Sequence, residues 1–88
     1  MLSQKITVIG KVQGVGYRIS TKIEALGLGI TGRVKNLPDG SVEIWATGTE
    51  EQLDCFRNWC LQGPSRARVD RVEIEPMPLR VYKSFKVQ

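Results

Sequence analysis

The chain has 88 residues, of which 41% are hydrophobic and 25% charged, and it contains no histidine. A chain of this length and composition folds as one domain, residues 1–88, around a single modest core, unlike a disordered chain. Its formal net charge of +4 favours anionic partners. The absence of histidine excludes the commonest general base and the commonest transition-metal ligand.

No stretch is long and apolar enough for a membrane helix, and the first residues lead at once into a strand pattern without a signal peptide. We therefore expect a cytoplasmic protein with no membrane partner. Cys55 and Cys60 are five residues apart in a predicted helix, which puts them on different faces and matches no zinc or redox motif. We expect two reduced thiols and no structural metal site, with an intermolecular disulfide at an exposed cysteine as the alternative.

Alternation of apolar and polar side chains predicts a half-buried strand at residues 4–12. A helix is predicted at residues 19–28. Thr21 and Glu24 have the spacing of a capping box, although the helix can start a residue or two before residue 19. In the strand, one face carries Ile6, Val8, Gly10 and Val12, and the other carries Lys5, Thr7, Ile9 and Lys11. In the helix, one face carries Ile19, Ile23 and Leu26. The helix is expected to end at Gly27 and Gly29.

Two further strands are predicted at residues 30–36 and 41–47, and the turn Leu37-Pro38-Asp39-Gly40 joins them. Both strands alternate, so that one set of side chains faces the core. The inward side chains are Ile30, Gly32, Val34, Val42, Ile44 and Ala46, and Trp45 falls on the opposite face.

A second helix is predicted to start at a capping box formed by Thr49 and Gln52 and to stop at Gly63 and Pro64. Its buried stripe consists of Leu53, Phe56 and Cys60. The rest of the chain is interpreted as a basic connector at 65–68, a fourth strand at about 69–76, a link at 77–80 and a short edge strand within 81–87.

The element order β-α-β-β-α-β, with a short strand at the end, is typical of an α+β ferredoxin-like sandwich. In that fold two helices cover one face of a mostly antiparallel sheet of four or five strands. The first two strands run parallel through a right-handed helical crossover, so their carboxyl ends lie at the same edge. Because the third strand lies between them, Asn36 at the end of the second strand is expected about 10 Å from the end of the first.

The segment after the first strand, Gln13-Gly14-Val15-Gly16-Tyr17-Arg18, has the features of a small anion site. Its glycines allow backbone conformations that direct consecutive N–H groups at one point. The helix that follows adds free N–H groups and the positive end of its dipole. Arg18 adds a permanent charge and a planar set of donors suited to a phosphate. These residue types predict a phosphate cradle formed by the amides of residues 13–18 and by Arg18.

On chemistry alone, other interpretations of these residues stay open. Glycine-rich strand-to-helix turns are common, and an arginine beside one is usually solvated. A dinucleotide fingerprint would need glycine or alanine where Ile19 stands. A Walker loop would need lysine and serine or threonine where Tyr17 and Arg18 stand. An asparagine before a turn, such as Asn36, is by itself most often a turn residue.

Two runs of residues resemble the signatures of the acylphosphatase family. Gly10-Lys-Val-Gln-Gly-Val-Gly-Tyr-Arg18 is similar to glycine-x-valine-glutamine-glycine-valine-x-aromatic-arginine. Gly32-Arg-Val-Lys-Asn36, followed by Asp39-Gly-Ser-Val42, is similar to glycine-x-valine-x-asparagine and aspartate-glycine-x-valine. The family pattern is also matched at Thr21, Ala25, Leu28-Gly29-Ile30 and Gly63-Pro64, so the resemblance covers nearly the whole chain.

The resemblance implies an enzyme that hydrolyses carboxyl-phosphate anhydrides to a carboxylate and inorganic phosphate. Arg18 would be catalytic and bind the phosphate together with the backbone N–H groups of residues 13–18, and Asn36 would hold the attacking water through its side-chain amide. Neither a metal nor an organic cofactor is implied. The expected partner is a small acyl phosphate. Inorganic phosphate or sulfate would occupy the same site. We also expect a monomer.

Some residues depart from the family pattern. Arg33 stands beside the expected site where tryptophan or tyrosine is common, and it could alter substrate preference. Tyr17 replaces a more usual phenylalanine, which is a mild change at an aromatic position. Neither departure removes a residue that the chemistry requires.

The main alternative is a single-stranded nucleic-acid-binding module, because ferredoxin-like sheets bind RNA when aromatic side chains line the open face. Trp45 alone does not form the paired aromatic pattern, so no nucleic-acid partner is expected. A second alternative is a domain of a larger protein that handles carbamoyl phosphate.

Overall fold

The computed structural model describes all 88 residues as two helices packed on a five-stranded sheet. The elements in chain order are β1 (Leu2–Lys11), α1 (Tyr17–Leu28), β2 (Thr31–Asn36), β3 (Val42–Gly48), α2 (Glu50–Gln62), β4 (Arg68–Met77) and β5 (Phe85–Val87). The strands lie in the spatial order β4-β1-β3-β2-β5. This arrangement confirms the predicted ferredoxin-like α+β fold.

The strand directions bring three strand ends to one edge of the sheet. β3 lies between β1 and β2 and is antiparallel to both, so β1 and β2 run in the same direction. Val42, at the start of β3, pairs with Val8 on one side and with Asn36 on the other. β5 is parallel to β2, so its end at Val87 points to the same edge. The predicted order of the first three strands is therefore confirmed.

The core lies between the helices and the inward face of the sheet. The inward positions predicted for β1 are confirmed, because Ile6 and Val8 are fully buried and Val12 is buried just past the end of the strand. The pairing of β1 with β4 shifts register between Ile9 and Gly10. At Gly10 the backbone φ is 145°, and a Cβ atom would lie 2.1 Å from the main-chain oxygen of Arg68. Glycine is needed at this bulge, from which β1 leads into the loop before α1.

Helix α1 differs from its prediction in two ways. It begins at Tyr17, with Gly16 as the N-cap, and no side chain caps it. The capping box predicted for Thr21 and Glu24 is therefore wrong: Thr21 lies within the helix, and its hydroxyl donates to the Tyr17 oxygen at 2.7 Å. Gly27 lies in the last turn, while Gly29 is the left-handed C-cap, with φ 77°.

The three apolar residues on one face of α1 point to solvent. Ile19, Ile23 and Leu26 are 57%, 66% and 56% exposed. The face that packs on the core carries Tyr17, Thr21 and Ala25. After the large ring of Tyr17, the small side chains of Thr21 and Ala25 let α1 contact α2, β2 and β5 closely.

Helix α2 agrees closely with its prediction. Thr49 and Gln52 form a complete capping box, and Leu53, Phe56 and Cys60 are the buried residues. Cys55 is exposed, so the two cysteines lie on different faces as predicted. Neither α1 nor α2 has the length and apolar character that a membrane-spanning helix requires.

The short edge strand predicted within residues 81–87 is confirmed, and it covers Phe85–Val87. The segment before it is held by main-chain and hydroxyl contacts: Arg80 donates its N–H to the Ser3 hydroxyl at 2.9 Å and accepts from the Thr47 hydroxyl at 2.7 Å. β5 is thereby brought alongside β2 near Asn36.

Candidate active site

The site lies at the sheet edge where β1, β2 and β5 end and α1 begins. A cavity of about 130 Å³ opens there. It is lined by Val12, Gly14, Gly16, Tyr17, Arg18, Ile19, Asn36 and Val87. Residues of the two signature runs line the same cavity because the runs lie at the ends of two parallel strands, β1 and β2, which flank β3.

The loop from Gln13 to Gly16 leaves its main-chain N–H groups without partners inside the chain. The first hydrogen bond of α1 runs from the Ser20 N–H to the Gly16 oxygen at 3.1 Å, and no N–H of residues 13–16 donates to another group of the protein. Gly14 and Gly16 both have left-handed backbones, with φ 73° and 77°. Alternation of this kind turns successive N–H groups toward a common point, which is the geometry of an anion nest.

Arg18 carries the positive charge of the site. Its Nη1 donates to the main-chain oxygen of Gln88 at 2.5 Å, and it forms no ion pair with a carboxylate. The bond to Gln88 uses one of the five donors of the guanidinium, so the remaining donors are available to a ligand. The carboxyl-terminal segment thus orients Arg18.

Asn36 ends β2 and lines the same cavity. Its Oδ1 is buried and has no hydrogen-bond partner. A buried acceptor without a partner is costly, because it has lost its hydration and gained nothing in exchange. Because Asn36 lines the cavity, its unpaired acceptor is where a bound water or a ligand donor is expected.

Gln13 joins the cradle to the turn that follows Asn36. Its Nε2 donates to the main-chain oxygens of Leu37 and Ser41 at 2.8 and 2.9 Å. Sequence reasoning assigned Gln13 only a backbone N–H and missed this role of its side chain. The one signal was its position between the first strand and Gly14, where a long amide side chain can reach a neighbouring strand end.

The turn itself is closed by internal hydrogen bonds. The Leu37 N–H donates to the Ser41 oxygen at 2.9 Å. Asp39 accepts from the Ser41 hydroxyl at 2.6 Å and from the Ser41 N–H at 3.0 Å. These two bonds, the side-chain one first, lower the pKa of the Asp39 carboxyl. Asp39 therefore stabilises the turn in which the sequence placed it.

Tyr17 anchors the start of α1 in the core. Its ring is buried against Trp59, with centroids 5.5 Å apart, and its hydroxyl donates to the main-chain oxygen of Cys60 at 2.8 Å. Burial is the main reason that the pKa of the Tyr17 hydroxyl is raised far above its ordinary value. The cradle is thus attached to α2 by a neutral, hydrogen-bonded phenol.

The structure brings most of the predicted site residues together. Gly14, Gly16, Tyr17, Arg18 and Asn36 line one cavity. The side chains of the other two predicted residues point elsewhere: Gln13 to the turn, and Val15 against the hydrophobic core. Glu43, interpreted as a solvated strand residue, accepts from the Trp45 indole at 2.8 Å and pairs with Lys35 at 3.7 Å. No group of three or more acidic, cysteine or histidine side chains suits a metal ion.

The fold and the cavity together define a small α+β sandwich with a glycine-containing loop of unpaired N–H groups between its first strand and first helix. A family model described as Acylphosphatase matches residues 4–87, and the chain belongs to that family.

Relatives and solved structures agree over nearly the full length. The chain is 45% identical to an acylphosphatase of Acaryochloris marina, over 94% of this chain and 89% of that one. It is 47% identical to an acylphosphatase of Archaeoglobus fulgidus, over 99% and 98% of the two chains. The crystal structure of acylphosphatase from Bacillus subtilis superposes with a TM-score of 0.97 at 35% identity, covering 100% of this chain and 99% of that one.

Proposed function

We propose that the chain hydrolyses acyl phosphates, with the phosphoryl group held by Arg18 and the amides of residues 13–18 and the attacking water oriented by Asn36. One observation carries this assignment of roles. One small cavity is lined by glycines of the loop with unused N–H donors, by Arg18, which forms no ion pair with a carboxylate side chain, and by Asn36, whose Oδ1 has no partner. Membership of the acylphosphatase family supports the reaction itself.

The cavity suits a phosphoryl group in size and charge. Its volume of about 130 Å³ is several times the volume that one water needs on the same measure, about 10–15 Å³, so a phosphoryl group and a water can both enter. The nest supplies neutral donors, while Arg18 supplies the charge. The phosphoryl oxygens are thus met by donors that the protein does not use internally.

Asn36 has the right chemistry to orient a water. As an acceptor, Oδ1 takes one proton of the water in a hydrogen bond and leaves an oxygen lone pair directed at phosphorus. The amide cannot remove the proton at neutral pH. In the step we propose, the water oxygen bonds to phosphorus as the bond from phosphorus to the acyl oxygen breaks. The proton passes to the phosphoryl oxygens, so the products are a carboxylate and dihydrogen phosphate.

No general base is needed for this reaction. A carboxylate is a good leaving group, and phosphoryl transfer depends mainly on positioning and charge stabilisation. Removing one preorganised donor from a comparable site typically costs about 3–4 kcal/mol of transition-state stabilisation. Several N–H groups together with Arg18 can therefore supply most of the effect without a histidine.

Further properties follow from the same proposal. We propose that the enzyme needs no metal or organic cofactor, that inorganic phosphate or sulfate occupies the cradle in the absence of substrate, and that nucleic acid is not a ligand. We also propose a monomer in the cytoplasm. Two free thiols support the location, since thiols are kept reduced in that compartment.

The decisive experiment separates binding from turnover. Phosphate release from benzoyl phosphate is measured with chelator present, and binding of inorganic phosphate is measured by calorimetry. We expect Arg18→Ala to lose both activities, with turnover falling roughly a thousandfold. We expect Asn36→Ala to lose about a hundredfold in turnover while binding phosphate as the wild type does.

Matched controls are available elsewhere on the surface. Arg66 and Asn58 are exposed and form no ion pair or side-chain hydrogen bond, so Arg66→Ala and Asn58→Ala should behave as the wild type. Near-normal turnover in Asn36→Ala would remove the water-orienting role. Phosphate binding that survives in Arg18→Ala would show that the cradle lies elsewhere, and inhibition by chelator would contradict metal independence.

A further inference from the structure

A second cavity opens at the edge of the sheet that β2 and β5 form, and its volume is about 280 Å³. None of the residues that line it is acidic, and four are cationic: Arg33, Arg80, Lys83 and Lys86. None of these four side chains forms an ion pair with a carboxylate side chain. Charges of one sign that are gathered in a concave surface attract ions of the other sign.

This second cavity is separate from the phosphate cradle. Successive side chains of a strand point to opposite faces of the sheet. Val34 is buried on the helix side of β2, so Asn36 lies on that side and Arg33 lies on the opposite face. On β5, Phe85 is buried in the core, so Lys86 lies on the face away from the helices. The two cavities share no lining residue, and an anion in the second is therefore a different ligand from the one in the cradle.

Arg33 and Lys86 lie side by side, because they are register partners on adjacent parallel strands. Two like charges in this arrangement are unfavourable until an anion lies between them. The acidic residues that other cations leave free are Glu24, Asp39 and Glu51, which lie on the two helices and in the turn after β2. The chain itself therefore supplies no ion-pair partner to Arg33 and Lys86.

Aromatic rings hold two cations of the second cavity in position. The guanidinium carbon of Arg33 lies 5.2 Å from the centre of the Trp45 ring, and that of Arg80 lies 5.0 Å from the centre of the Tyr82 ring. The Arg33 Nε and the Tyr82 hydroxyl are buried and have no hydrogen-bond partner. A ligand oxygen that accepts from either group replaces no existing hydrogen bond, so both residues favour a ligand rich in acceptor oxygens.

The size and the donors of the second cavity favour linked phosphate groups. Its volume is about twice that of the first cavity, 280 against 130 Å³. The planar donors of a guanidinium match two oxygens of one phosphate, and a lysine adds a point charge for the next. We infer that the second cavity binds a small compound with two or more linked phosphate groups, inorganic or attached to a nucleoside. This ligand would bridge Arg33 and Lys86, and its binding does not depend on the proposed function of the cradle.

The test is a titration of the ¹⁵N-labelled full chain with inorganic tripolyphosphate at low ionic strength, followed by NMR. It is repeated with Arg18→Ala, which disables the cradle. We expect the Trp45 indole N–H and the amides of residues 80–86 to shift in both proteins, and the amides of Gly14 and Gly16 to shift only in the wild type. Shifts confined to Gly14 and Gly16 and lost in Arg18→Ala would place all binding in the cradle. That result would overturn the inference and leave the proposed function intact.

Single substitutions in the Arg18→Ala protein then assign the binding to individual side chains. Arg33→Gln removes a charge and a buried donor together, so affinity for tripolyphosphate should fall roughly tenfold. Lys86→Gln removes an exposed charge and should weaken binding about two- to fivefold. Tyr82→Phe should weaken binding roughly threefold without changing the thermal unfolding temperature, because the hydroxyl has no partner inside the protein. Unchanged affinity in all three variants would overturn the inference.

The control removes one charge at the far side of the sheet. Arg71 is exposed on β4, the opposite edge strand, so Arg71→Gln changes the net charge equally without touching the cavity. Equal effects of Arg71→Gln and Lys86→Gln would assign the binding to the overall field and overturn the inference.

Two further ligands define the chemistry that the site recognises. Citrate carries a comparable charge without phosphate and should bind roughly tenfold more weakly than tripolyphosphate. Equal affinity for citrate would overturn the assignment to phosphate groups. Adenosine triphosphate distinguishes the two sources of linked phosphates, and either result supports the site. Tighter binding than that of tripolyphosphate assigns it to a nucleotide, and equal binding assigns it to the phosphate chain alone.

Discussion

The two walls of the candidate active site use their hydrogen-bonding groups in opposite ways. On the cradle side, the N–H groups of residues 13–16 donate to nothing within the protein. On the turn side, Leu37, Asp39 and Ser41 bond to one another, and the Gln13 side chain donates a second hydrogen bond to each of the oxygens of Leu37 and Ser41. One wall is left open for a ligand and the other is closed to hold Asn36 in place.

This contrast explains why the Asn36 Oδ1 and the N–H groups of the loop stay unpaired at this corner. Leaving a donor or acceptor unpaired costs about 1–3 kcal/mol when it is buried, so a fold tolerates few of them. The closed turn gives the site rigidity, and the open loop gives it affinity for an anion. Changes that open the closed wall or reshape the open one should therefore have different signatures.

The largest effect in this comparison is expected from Gln13→Ala. It removes the two hydrogen bonds from Gln13 to the oxygens of Leu37 and Ser41, which keep only their bonds from the N–H groups of Gly40 and Leu37. We therefore expect a loss of about 1–3 kcal/mol in the free energy of unfolding. Because Asn36 loses its support, kcat should fall roughly tenfold with phosphate affinity retained. Urea unfolding and steady-state kinetics measure the two effects. Gln62→Ala, on the exposed end of α2, is the control. An unchanged kcat in Gln13→Ala would mean that the turn keeps its conformation without the Gln13 side chain.

A smaller effect is expected from reshaping the open wall with Gly16→Ala. No atom lies within 4 Å of the added Cβ, so only the left-handed backbone, with φ 77°, opposes the change. We expect a cost of roughly 1–2 kcal/mol and weaker phosphate binding, because the N–H groups turn away. Gly27→Ala is the matched control: it also has open space, but it lies in α1 without a positive φ, and it should stabilise the protein by about 0.5–1 kcal/mol. An unchanged phosphate affinity in Gly16→Ala would show that this loop does not bind the phosphate.

The attachment of the cradle to α2 is tested by Tyr17→Phe. The change removes the bond to the Cys60 oxygen but keeps the ring, so stability should fall by about 1 kcal/mol and turnover should stay within about twofold. Tyr82→Phe is the comparison, because the Tyr82 hydroxyl is buried without a partner and its removal should cost nothing. Thermal unfolding of both variants decides the matter. Equal destabilisation would show that the Tyr17 hydrogen bond contributes no stability.

The smallest effect concerns pH. Because the pKa of Asp39 is lowered in the folded state, its bonds to Ser41 stabilise the protein above the ordinary carboxyl range, and this contribution is lost as pH falls through the lowered value. The stability difference between the wild type and Asp39→Asn should therefore shrink from pH 6 toward pH 2. Denaturant midpoints across this range measure it, and a constant difference would assign the effect to something other than ionisation.

Most of the fold could be predicted from local sequence patterns. Alternation along residues 4–12 and 30–36, the capping box at Thr49 and Gln52, and the buried stripe of α2 are all local signals, and the structure confirms them. The start of α1 could not be predicted in this way, because Gly16 caps it through backbone conformation alone and the spacing of Thr21 and Glu24 imitates a cap. The inward face of α1 could not be predicted either, since after Tyr17 it carries only the small residues Thr21 and Ala25, while the larger apolar residues Ile19, Ile23 and Leu26 are exposed.

By itself, the sequence determined the elements, their order and the two runs that resemble acylphosphatase signatures, because helix caps, strand periodicity and glycine turns depend on neighbouring residues. Only the tertiary structure decided which groups remain unused. The unpartnered Oδ1 of Asn36, the bridging side chain of Gln13 and the meeting of Arg33 with Lys86 depend on which strands lie side by side, and strand neighbours are set by burial of the whole core rather than by any local stretch.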